Sequence, residues 1–288
     1  MWIGTAARMT TPAAVVYDAH ELWPDRNLRP EPRWWLLVCE ALFVRVAHRT
    51  ITASPGYASV MARRYRIPPP RVVRNIPDLR GGARQSRHGQ GGQPEEATGS
   101  TFAYVGALTR NRGLEISIHA VARLPEARLR LIGPIHDSYR DQLTQLARDL
   151  DVGDRIEFAL PVAPTKVIEA LGSVDAGLAL IQPICLSYEM TLPNKLFEYV
   201  LAGLPVLGSD LPVIGSFIQE HGVGLVASPD NAGDVASKLR EILRPERNQQ
   251  FRLASRKAAE KLRWETESRL LLDTYAEAIT DATRQLRR

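Results

Sequence analysis

Short apolar runs rich in β-branched residues alternate with longer amphipathic stretches along most of the chain. The apolar runs have the length of strands, and the amphipathic stretches repeat their apolar positions at helical spacing. Parallel strands need a crossover connection and are buried on both faces, so this alternation predicts parallel sheets covered by helices. The predicted strands are 14–17, 49–53, 71–74, 102–106, 128–132, 155–158, 174–180, 205–208 and 223–227. The predicted helices are 33–47, 55–65, 113–123, 137–150, 164–172, 194–202, 213–220, 232–243 and the tail 246–285.

The alternation is interrupted once, over residues 80–100. This stretch is rich in glycine and polar residues and contains no large apolar side chain that could anchor a core. We therefore predict a flexible linker at 80–100. It separates a short first α/β domain at 1–79 from a second one at 101–262, which a C-terminal helix at 263–288 follows.

The composition is that of a globular chain, with 44% hydrophobic and 24% charged residues. Cys39 and Cys185 provide neither a disulfide framework nor metal-ligand spacing. The longest apolar run, 34–39, is far shorter than the roughly 20 residues that cross a bilayer. The first residues lack the apolar core of a secretory signal. We expect a cytoplasmic protein.

The formal net charge of +5 raises the question of an anionic partner. Only five of the 37 basic residues are lysines, and the arginines are scattered instead of forming one basic block. No zinc-finger, helix-turn-helix or RNA-binding signature is present, so we expect no nucleic acid partner. A phosphorylated substrate or an anionic membrane at the inner face fits better. The segment 33–45, with its Trp pair and flanking arginines, could lie on such a membrane, but burial in the domain core is the favoured interpretation.

The loop 104–113 joins a strand end to a helix start. Gly106 ends the strand and leaves room for a ligand to approach the backbone. Arg110 and Arg112 come just before the helix, where free N–H groups and the helix dipole already favour an anion. A diphosphate is the expected ligand. The alternative is a tight turn with two solvated arginines.

The segment 191–206 predicts a short helix bracketed by Pro193 and Gly203. Its start lies at the same edge of the sheet as the first loop, and Lys195 adds a cation there. Glu198, one turn further on, could accept hydrogen bonds from two adjacent hydroxyls, as on a ribose. The alternative is that Glu198 is an exposed residue paired with Lys195 across one helical turn.

A third cluster of polar residues follows the first strand at 17–21. His20 at this strand end could orient or deprotonate a substrate hydroxyl. A structural pair of His20 with Glu21 is the alternative.

These loops, in this order and spacing, resemble the retaining, nucleotide-sugar-dependent glycosyltransferases of family 4. That family has the GT-B fold of two Rossmann-like parallel-sheet domains, of which the N-terminal one is incomplete here. The resemblance is carried by 17–21, 52–54, 75–78, 104–106, 131–133, Asp175, 193–199 and 202–206. Its most specific part is the stretch 193–206. It implies that residues 101–208 lie in the donor-binding domain and residues 14–77 in the second half of the acceptor domain.

The resemblance also implies roles for individual residues. Glu198 would bind the ribose hydroxyls, and the helix start at Asn194 and Lys195 would hold the diphosphate. Arg112 would contact the phosphates, and His20 would lie near the reacting sugar. The implied donor-binding set is Gly106, Arg110, Arg112, Asn194, Lys195 and Glu198, and the implied catalytic set is His20, Arg112 and Lys195.

The chain departs from the family pattern in three places. Ala107 stands where the family has a basic residue, and Met190, beside Glu189, stands where it has an acidic one. The family's acceptor domain also begins with a longer segment that includes a glycine-rich loop.

The function implied is transfer of a hexosyl group from a UDP- or GDP-sugar to a hydroxyl of a glycan or lipid-linked acceptor, with retention. Such reactions serve polysaccharide, glycolipid or cell-envelope glycan assembly. No cofactor and no metal are expected, since no Asp-x-Asp motif lies near the donor loops. The alternative is a truncated or degenerate relative that binds the nucleotide-sugar without catalysis. A nicotinamide-dependent oxidoreductase is disfavoured because no G-x-G-x-x-G follows a strand.

Overall fold

The computed structural model describes residues 10–78 and 99–286 and, before them, residues 4, 6 and 8. The predicted linker at 80–100 therefore lies outside the described residues except for its last two positions. No described helix is long and apolar enough to cross a membrane.

The observed elements follow the predicted alternation. Among the described residues the strands are β1 (Val16–Ala19), β2 (Arg49–Thr52), β3 (Arg71–Val72), β4 (Thr101–Val105), β5 (Arg128–Ile132), β6 (Ile156–Ala159), β7 (Ala176–Ala179), β8 (Val206–Ser209) and β9 (Gly224–Ala227). The helices are α1 (Arg33–Val46), α2 (Pro55–Tyr65), α3 (Leu114–Val121), α4 (Asp137–Asp149), α5 (Val167–Ala170), α6 (Leu186–Glu189), α7 (Asn194–Leu201), α8 (Pro212–His221), α9 (Ala232–Ile242), α10 (Pro245–Ala259) and α11 (Trp264–Leu286). The tail, predicted as continuous helix, is divided between α10 and α11.

Two compact units share these elements. Unit 1 comprises Met1–Asn75, Pro183–Leu192 and Trp264–Arg288, and unit 2 comprises Ile76–Gln182 and Pro193–Arg263. The sequence placed residues 183–192 in the second domain, whereas the structure groups them with the first.

Unit 1 contains a parallel sheet in the order β1-β2-β3. Its helix α2 begins where the sequence expects, because the Ser54 side chain accepts a hydrogen bond from the Gly56 N–H at 3.1 Å and Pro55 occupies the first turn. Helix α11 is tied to β3 of this sheet by Arg71, whose guanidinium bonds the Glu277 carboxylate at 3.0 Å. A C-terminal helix thus completes the unit that holds the N-terminal strands.

Helix α1 corrects the expectation that the tryptophan-rich segment is buried. Trp34 is 66% exposed, Trp35 44% and Val38 58%. The helix is apolar nearly all round, but only one stripe of a helix can face its own sheet. The buried stripe consists of Leu36, Cys39, Glu40, Phe43 and Val44.

Unit 2 contains a six-stranded parallel sheet in the order β6-β5-β4-β7-β8-β9. The chain builds outward from β4 to β6 on one side and then returns to β7 on the other, so the strand order reverses between β4 and β7. Apolar side chains fill the space between sheet and helices, as expected for strands buried on both faces. The core includes Phe102, Leu114, Leu129, Leu131, Leu178 and Leu239. The α/β class with parallel sheets, predicted from the alternation, is confirmed.

Candidate functional site

Parallel-sheet topology places a crevice at the strand-order reversal of unit 2, and the predicted donor-site residues follow the strands or begin the helix beside it. In open parallel sheets, ligands bind outside the carboxyl ends of the strands at such a reversal point. Strands β4 and β7 are paired only at Phe102 with Ala176 and at Ala103 with Gly177. Beyond these pairs the two strands part, and the loops after them border the crevice.

The loop after β4 is fixed by a close backbone approach. The Gly106 N–H donates to the Ile132 carbonyl at 3.0 Å. Gly133, with φ of +148°, lies so near that a Cβ on it would be 2.0 Å from the Gly106 carbonyl oxygen. A residue with a side chain cannot occupy position 133 without moving the loop. The strand end therefore presents a defined backbone edge to the crevice.

Helix α7 begins after Pro193, and Gly203 follows its end with φ of +70°, as the sequence predicts. The helix is anchored by buried apolar and aromatic side chains, namely Leu196, Phe197, Tyr199 and Val200. Asn194, its first residue, is exposed. The helix start therefore offers free N–H groups to an anion.

Lys195 is the most unusual charged group of unit 2. Its side chain is only 9% exposed, and within the described residues its ammonium has no hydrogen-bond or ion-pair partner. The Nζ atom lies 4.5 Å from the centre of the Tyr104 ring and 3.6 Å from where a Cβ on Gly106 would be. Burial, and secondly the charge of Arg112, lower the pKa of Lys195 to about 8. The ammonium is therefore poised for a negatively charged ligand beside Gly106.

Glu198 is half-buried on the same helix. Burial raises the pKa of its carboxyl, and the charge of Lys195 opposes that rise. The predicted alternative, an ion pair with Lys195, is absent, and the carboxylate makes no hydrogen bond within the described part of the chain. Its oxygens are thus available as acceptors for hydroxyl groups.

The two arginines of the first loop lie in different surroundings. Arg112 is half-buried and close enough to Lys195 to depress its pKa. Arg110 is exposed, bonds Gln142 and lies 5.2 Å from the Tyr139 ring on α4. The structure therefore brings together four of the predicted residues, Gly106, Arg112, Lys195 and Glu198. The Arg110 side chain instead packs against the neighbouring helix α4.

His20 belongs to unit 1, directly after β1. Its Nε2 lies 3.0 Å from Asp18 Oδ2, and both side chains are well exposed. The partner is therefore Asp18 and not Glu21, which the sequence offered as the alternative. The carboxylate holds the imidazole in one orientation.

Two aromatic residues of the site were not singled out from the sequence. Tyr104 provides the ring beside the Lys195 ammonium, where the face of the ring attracts the cation. Tyr199 bonds three backbone groups of β4 and β7 through its hydroxyl. Both lie in stretches that carry the resemblance, 104–106 and 193–199, but the sequence assigns neither a role because each also fits the apolar face of its strand or helix.

Two parallel α/β sheets, with a cationic crevice at a strand-order reversal, define the class of GT-B glycosyltransferases. The chain belongs to the family of group 1 glycosyl transferases, whose family model matches residues 91–261.

Curated relatives of similar sequence support this membership. The D-inositol 3-phosphate glycosyltransferase of Mycobacterium marinum is 29% identical over 99% of this chain and 63% of its own length. The protein of that name from Mycobacterium ulcerans is 28% identical over 99% of this chain and 64% of its own length. The chain thus spans a little under two thirds of these two relatives.

Solved structures of low sequence identity share the fold. Sucrose-phosphate synthase from Thermosynechococcus elongatus matches with a TM-score of 0.81 at 18% identity, covering 97% of this chain and 71% of that one. Anabaena HepE in complex with UDP matches with a TM-score of 0.77 at 15% identity, covering 95% and 75%.

Proposed function

We propose that the chain transfers a hexosyl group from a nucleoside diphosphate donor to an acceptor hydroxyl with retention, as in glycosyltransferase family 4. The observation that carries the proposal is the buried Lys195 ammonium, which lacks a hydrogen-bond or ion-pair partner among the described residues and lies beside Gly106 at the strand-order reversal. A cation held there at a cost in hydration is accounted for by an anionic ligand that compensates it.

The donor diphosphate fits this crevice chemically. When the bond from the sugar carbon to the diphosphate breaks, the bonding electrons remain on a phosphate oxygen and its negative charge grows. Lys195, Arg112 and the N–H groups at the start of α7 would stabilise that charge, and they do so more strongly in a crevice than in water. In our proposal these groups perform the role without a metal or a cofactor.

Glu198 and His20 have the remaining roles. The Glu198 carboxylate would accept hydrogen bonds from the ribose hydroxyls, because its oxygens have no partner among the described residues. Burial raises its pKa, and the charge of Lys195 opposes that rise. His20, oriented by Asp18, would contact the reacting sugar. Asn194 contributes through its backbone N–H at the helix start. Arg110 contributes through its positive charge on the exposed side of the loop after β4.

The relatives guide the choice of ligands. Anabaena HepE binds UDP and has been crystallised with UDP-glucose. UDP is therefore the first nucleoside diphosphate to test, and GDP is the second. The relatives named D-inositol 3-phosphate glycosyltransferase suggest a polyol phosphate among the acceptors, beside a glycan or lipid-linked hydroxyl.

The exposed face of α1 supports cytoplasmic action at an anionic membrane. Its exposed residues are four apolar side chains and an arginine at each end, with no exposed acid, namely Arg33, Trp34, Trp35, Val38, Leu42 and Arg45. Tryptophan flanked by arginine suits the headgroup region. Sedimentation with phosphatidylglycerol vesicles should capture the protein, and Trp34→Ser with Trp35→Ser should release it. Equal sedimentation of the variant would contradict this part of the proposal.

Calorimetric titration tests the donor site directly. The protein is titrated with UDP, GDP and NAD, and the titrations are repeated on Glu198→Ala. Glu169→Ala is the matched control, since the exposed Glu169 carboxylate bonds no side chain of the described residues other than Lys166, at 2.8 Å. Saturable binding of one nucleoside diphosphate, weakened only in Glu198→Ala, supports the proposal. A folded protein that binds neither diphosphate contradicts it.

Turnover then separates the enzyme from a relative that binds without catalysis. Release of UDP or GDP from the matching nucleotide-sugar, in the presence of inositol phosphate or a lipid-linked acceptor, supports transfer. Binding without release of nucleotide under any of these conditions favours the alternative, a relative that binds the nucleotide-sugar without catalysis.

A further inference from the structure

Tyr199 occupies the gap between β4 and β7. The side chain is fully buried. Its ring lies against Gly177 of β7, where an added Cβ would be 2.2 Å from the nearest ring carbon. The glycine at position 177 is therefore the space that admits the ring. Tyrosine and glycine form a matched pair across the helix and the sheet.

The Tyr199 hydroxyl bonds backbone groups of β4 and β7 beyond the residues at which the two strands pair with each other. It accepts a hydrogen bond from the Val105 N–H at 3.1 Å and donates to the Leu178 carbonyl at 3.0 Å. The Ala103 carbonyl lies 3.3 Å away as a second acceptor. Strands β4 and β7 are paired only as far as Ala103. Without the hydroxyl, the Val105 N–H would be buried with no partner.

These bonds connect the parts of the candidate site. Val105 directly precedes Gly106, and Tyr199 lies one helical turn after Lys195 and next to Glu198. One oxygen atom thus fixes the distance between the strand end and the helix that carries the two charged side chains. The apolar contacts of α7 bury the helix but bond no atom of the loop at Gly106.

We propose that Tyr199 is a positioning residue of the donor site, holding α7 against the end of β4 so that the Lys195 ammonium lies beside Gly106. The inference rests on the proposed function, because the donor site is what the hydroxyl positions. It assigns Tyr199 no contact with the ligand.

Tyr199→Phe removes the hydroxyl and keeps the ring. The matched control is Tyr139→Phe in the same unit, where the lost hydroxyl donates to Glu115 Oε1 at 2.6 Å. Calorimetry with the nucleoside diphosphate that the wild-type protein binds should show about 10- to 100-fold weaker binding for Tyr199→Phe, because losing a hydrogen bond from a positioned charged group such as Lys195 costs about that much. Tyr139→Phe should bind as the wild-type protein does, although it also loses a tyrosine hydroxyl that donates a hydrogen bond in unit 2.

A second readout needs no ligand. The chain has only five lysines, so NMR of protein labelled at the lysine Cε carbons can follow each one, with Lys195→Arg identifying the resonance. In the wild-type protein the pKa of Lys195 is lowered to about 8. In Tyr199→Phe water reaches the ammonium, and its pKa should rise toward the ordinary lysine value of about 10.4. In Tyr139→Phe it should not move.

The two readouts separate the possible failures. If the wild-type protein binds no diphosphate, the proposed function is wrong, and the Lys195 titration still decides whether Tyr199 sets its environment. Unchanged affinity and an unchanged Lys195 titration in folded Tyr199→Phe overturn the inference. If Tyr199→Phe does not fold, Gly177→Ala, which keeps the hydroxyl but displaces the ring, must shift the Lys195 titration. If neither variant folds, Tyr199 determines the fold as a whole and the inference is also wrong.

Discussion

Unit 1 and unit 2 each bury a charged side chain, and the two differ in how the charge is satisfied. Glu40 in unit 1 is fully buried, and its carboxylate accepts hydrogen bonds from the Tyr17 hydroxyl at 2.8 Å and the Tyr65 hydroxyl at 2.5 Å. Burial raises the pKa of Glu40, and both tyrosines oppose that rise. Lys195 in unit 2 is nearly as buried, and its ammonium contacts the Tyr104 ring but has no hydrogen-bond or ion-pair partner among the described residues.

Two other buried carboxylates of unit 1 follow the same pattern as Glu40. Asp25 is buried between Arg33 at 2.7 Å and Arg64 at 2.5 Å. Glu267 is buried against Arg74 at 2.6 Å. These three carboxylates have protein partners, whereas the Lys195 ammonium has no hydrogen-bond or ion-pair partner among the described residues, as we expect of a cation that binds a ligand.

The largest expected effect is the loss of activity in Lys195→Ala. Removing one preorganised donor from the leaving group should lower the turnover rate about 10- to 1000-fold. Lys166→Ala is the control, since the exposed Lys166 ammonium bonds no side chain of the described residues other than Glu169. Steady-state release of nucleotide measures both. Wild-type turnover in Lys195→Ala would remove Lys195 from the site.

Replacing Lys195 by methionine should leave stability unchanged or increase it. At neutral pH the ammonium is disfavoured in the folded chain, because its pKa there is about 8 and lies below the unfolded value. The destabilisation, roughly 3 kcal/mol, applies below pH 8 and fades as pH rises to the unfolded value. Lys195→Met keeps the side-chain volume and removes this cost. Marked destabilisation of Lys195→Met in urea denaturation at pH 7 would contradict this prediction.

Glu40→Ala, in contrast, should lower the free energy of unfolding. It leaves the Tyr17 and Tyr65 hydroxyls buried without their acceptor and opens a cavity, so we expect a loss of about 2–5 kcal/mol in the free energy of unfolding. Urea denaturation measures the loss, and Glu31→Ala, at an exposed position of the same unit, is the control. Equal stability of the two variants would remove the distinction between the two kinds of buried charge.

The sequence predicted the elements well because each depends on local patterns. Strand β5 has the predicted bounds, and α7 lies between Pro193 and Gly203 as expected. Unequal burial on α1 was not predicted, because apolar residues surround that helix and only the position of the sheet decides which are covered. Glu40 interrupts the apolar run as a polar residue would at the surface, yet two tyrosines far from it in sequence bury it.

The candidate site was predictable only in part for a related reason. Gly106, Arg112, Lys195 and Glu198 follow strand ends or helix starts, and parallel topology brings such positions together. The direction of Arg110 depends on Gln142 and Tyr139, which belong to another helix. Tyr199 acts through backbone atoms that no residue pattern reveals.

The next effect is a pH dependence of affinity. Below pH 8 Lys195 is charged and, in our proposal, attracts the diphosphate, whereas above its pKa of about 8 the charge is lost. Affinity for the nucleoside diphosphate should therefore be level near pH 7 and fall up to about tenfold per pH unit above 8. Lys195→Ala should abolish this decline. A wild-type affinity that stays level to pH 9.5 would contradict the assignment of the cation.

The smallest expected effect is that of Arg110 in the loop after β4, and Arg112 of the same loop is its comparison. Arg110 is exposed and occupied by Gln142 and Tyr139, so Arg110→Ala should change turnover by less than about threefold, as exposed charges contribute little. Arg112→Ala should lower it about 10- to 1000-fold, because Arg112 lies close enough to Lys195 to shift its pKa. Equal losses in the two variants would mean that Arg110 turns toward the diphosphate when the donor binds, and the loop would then act as one cationic unit.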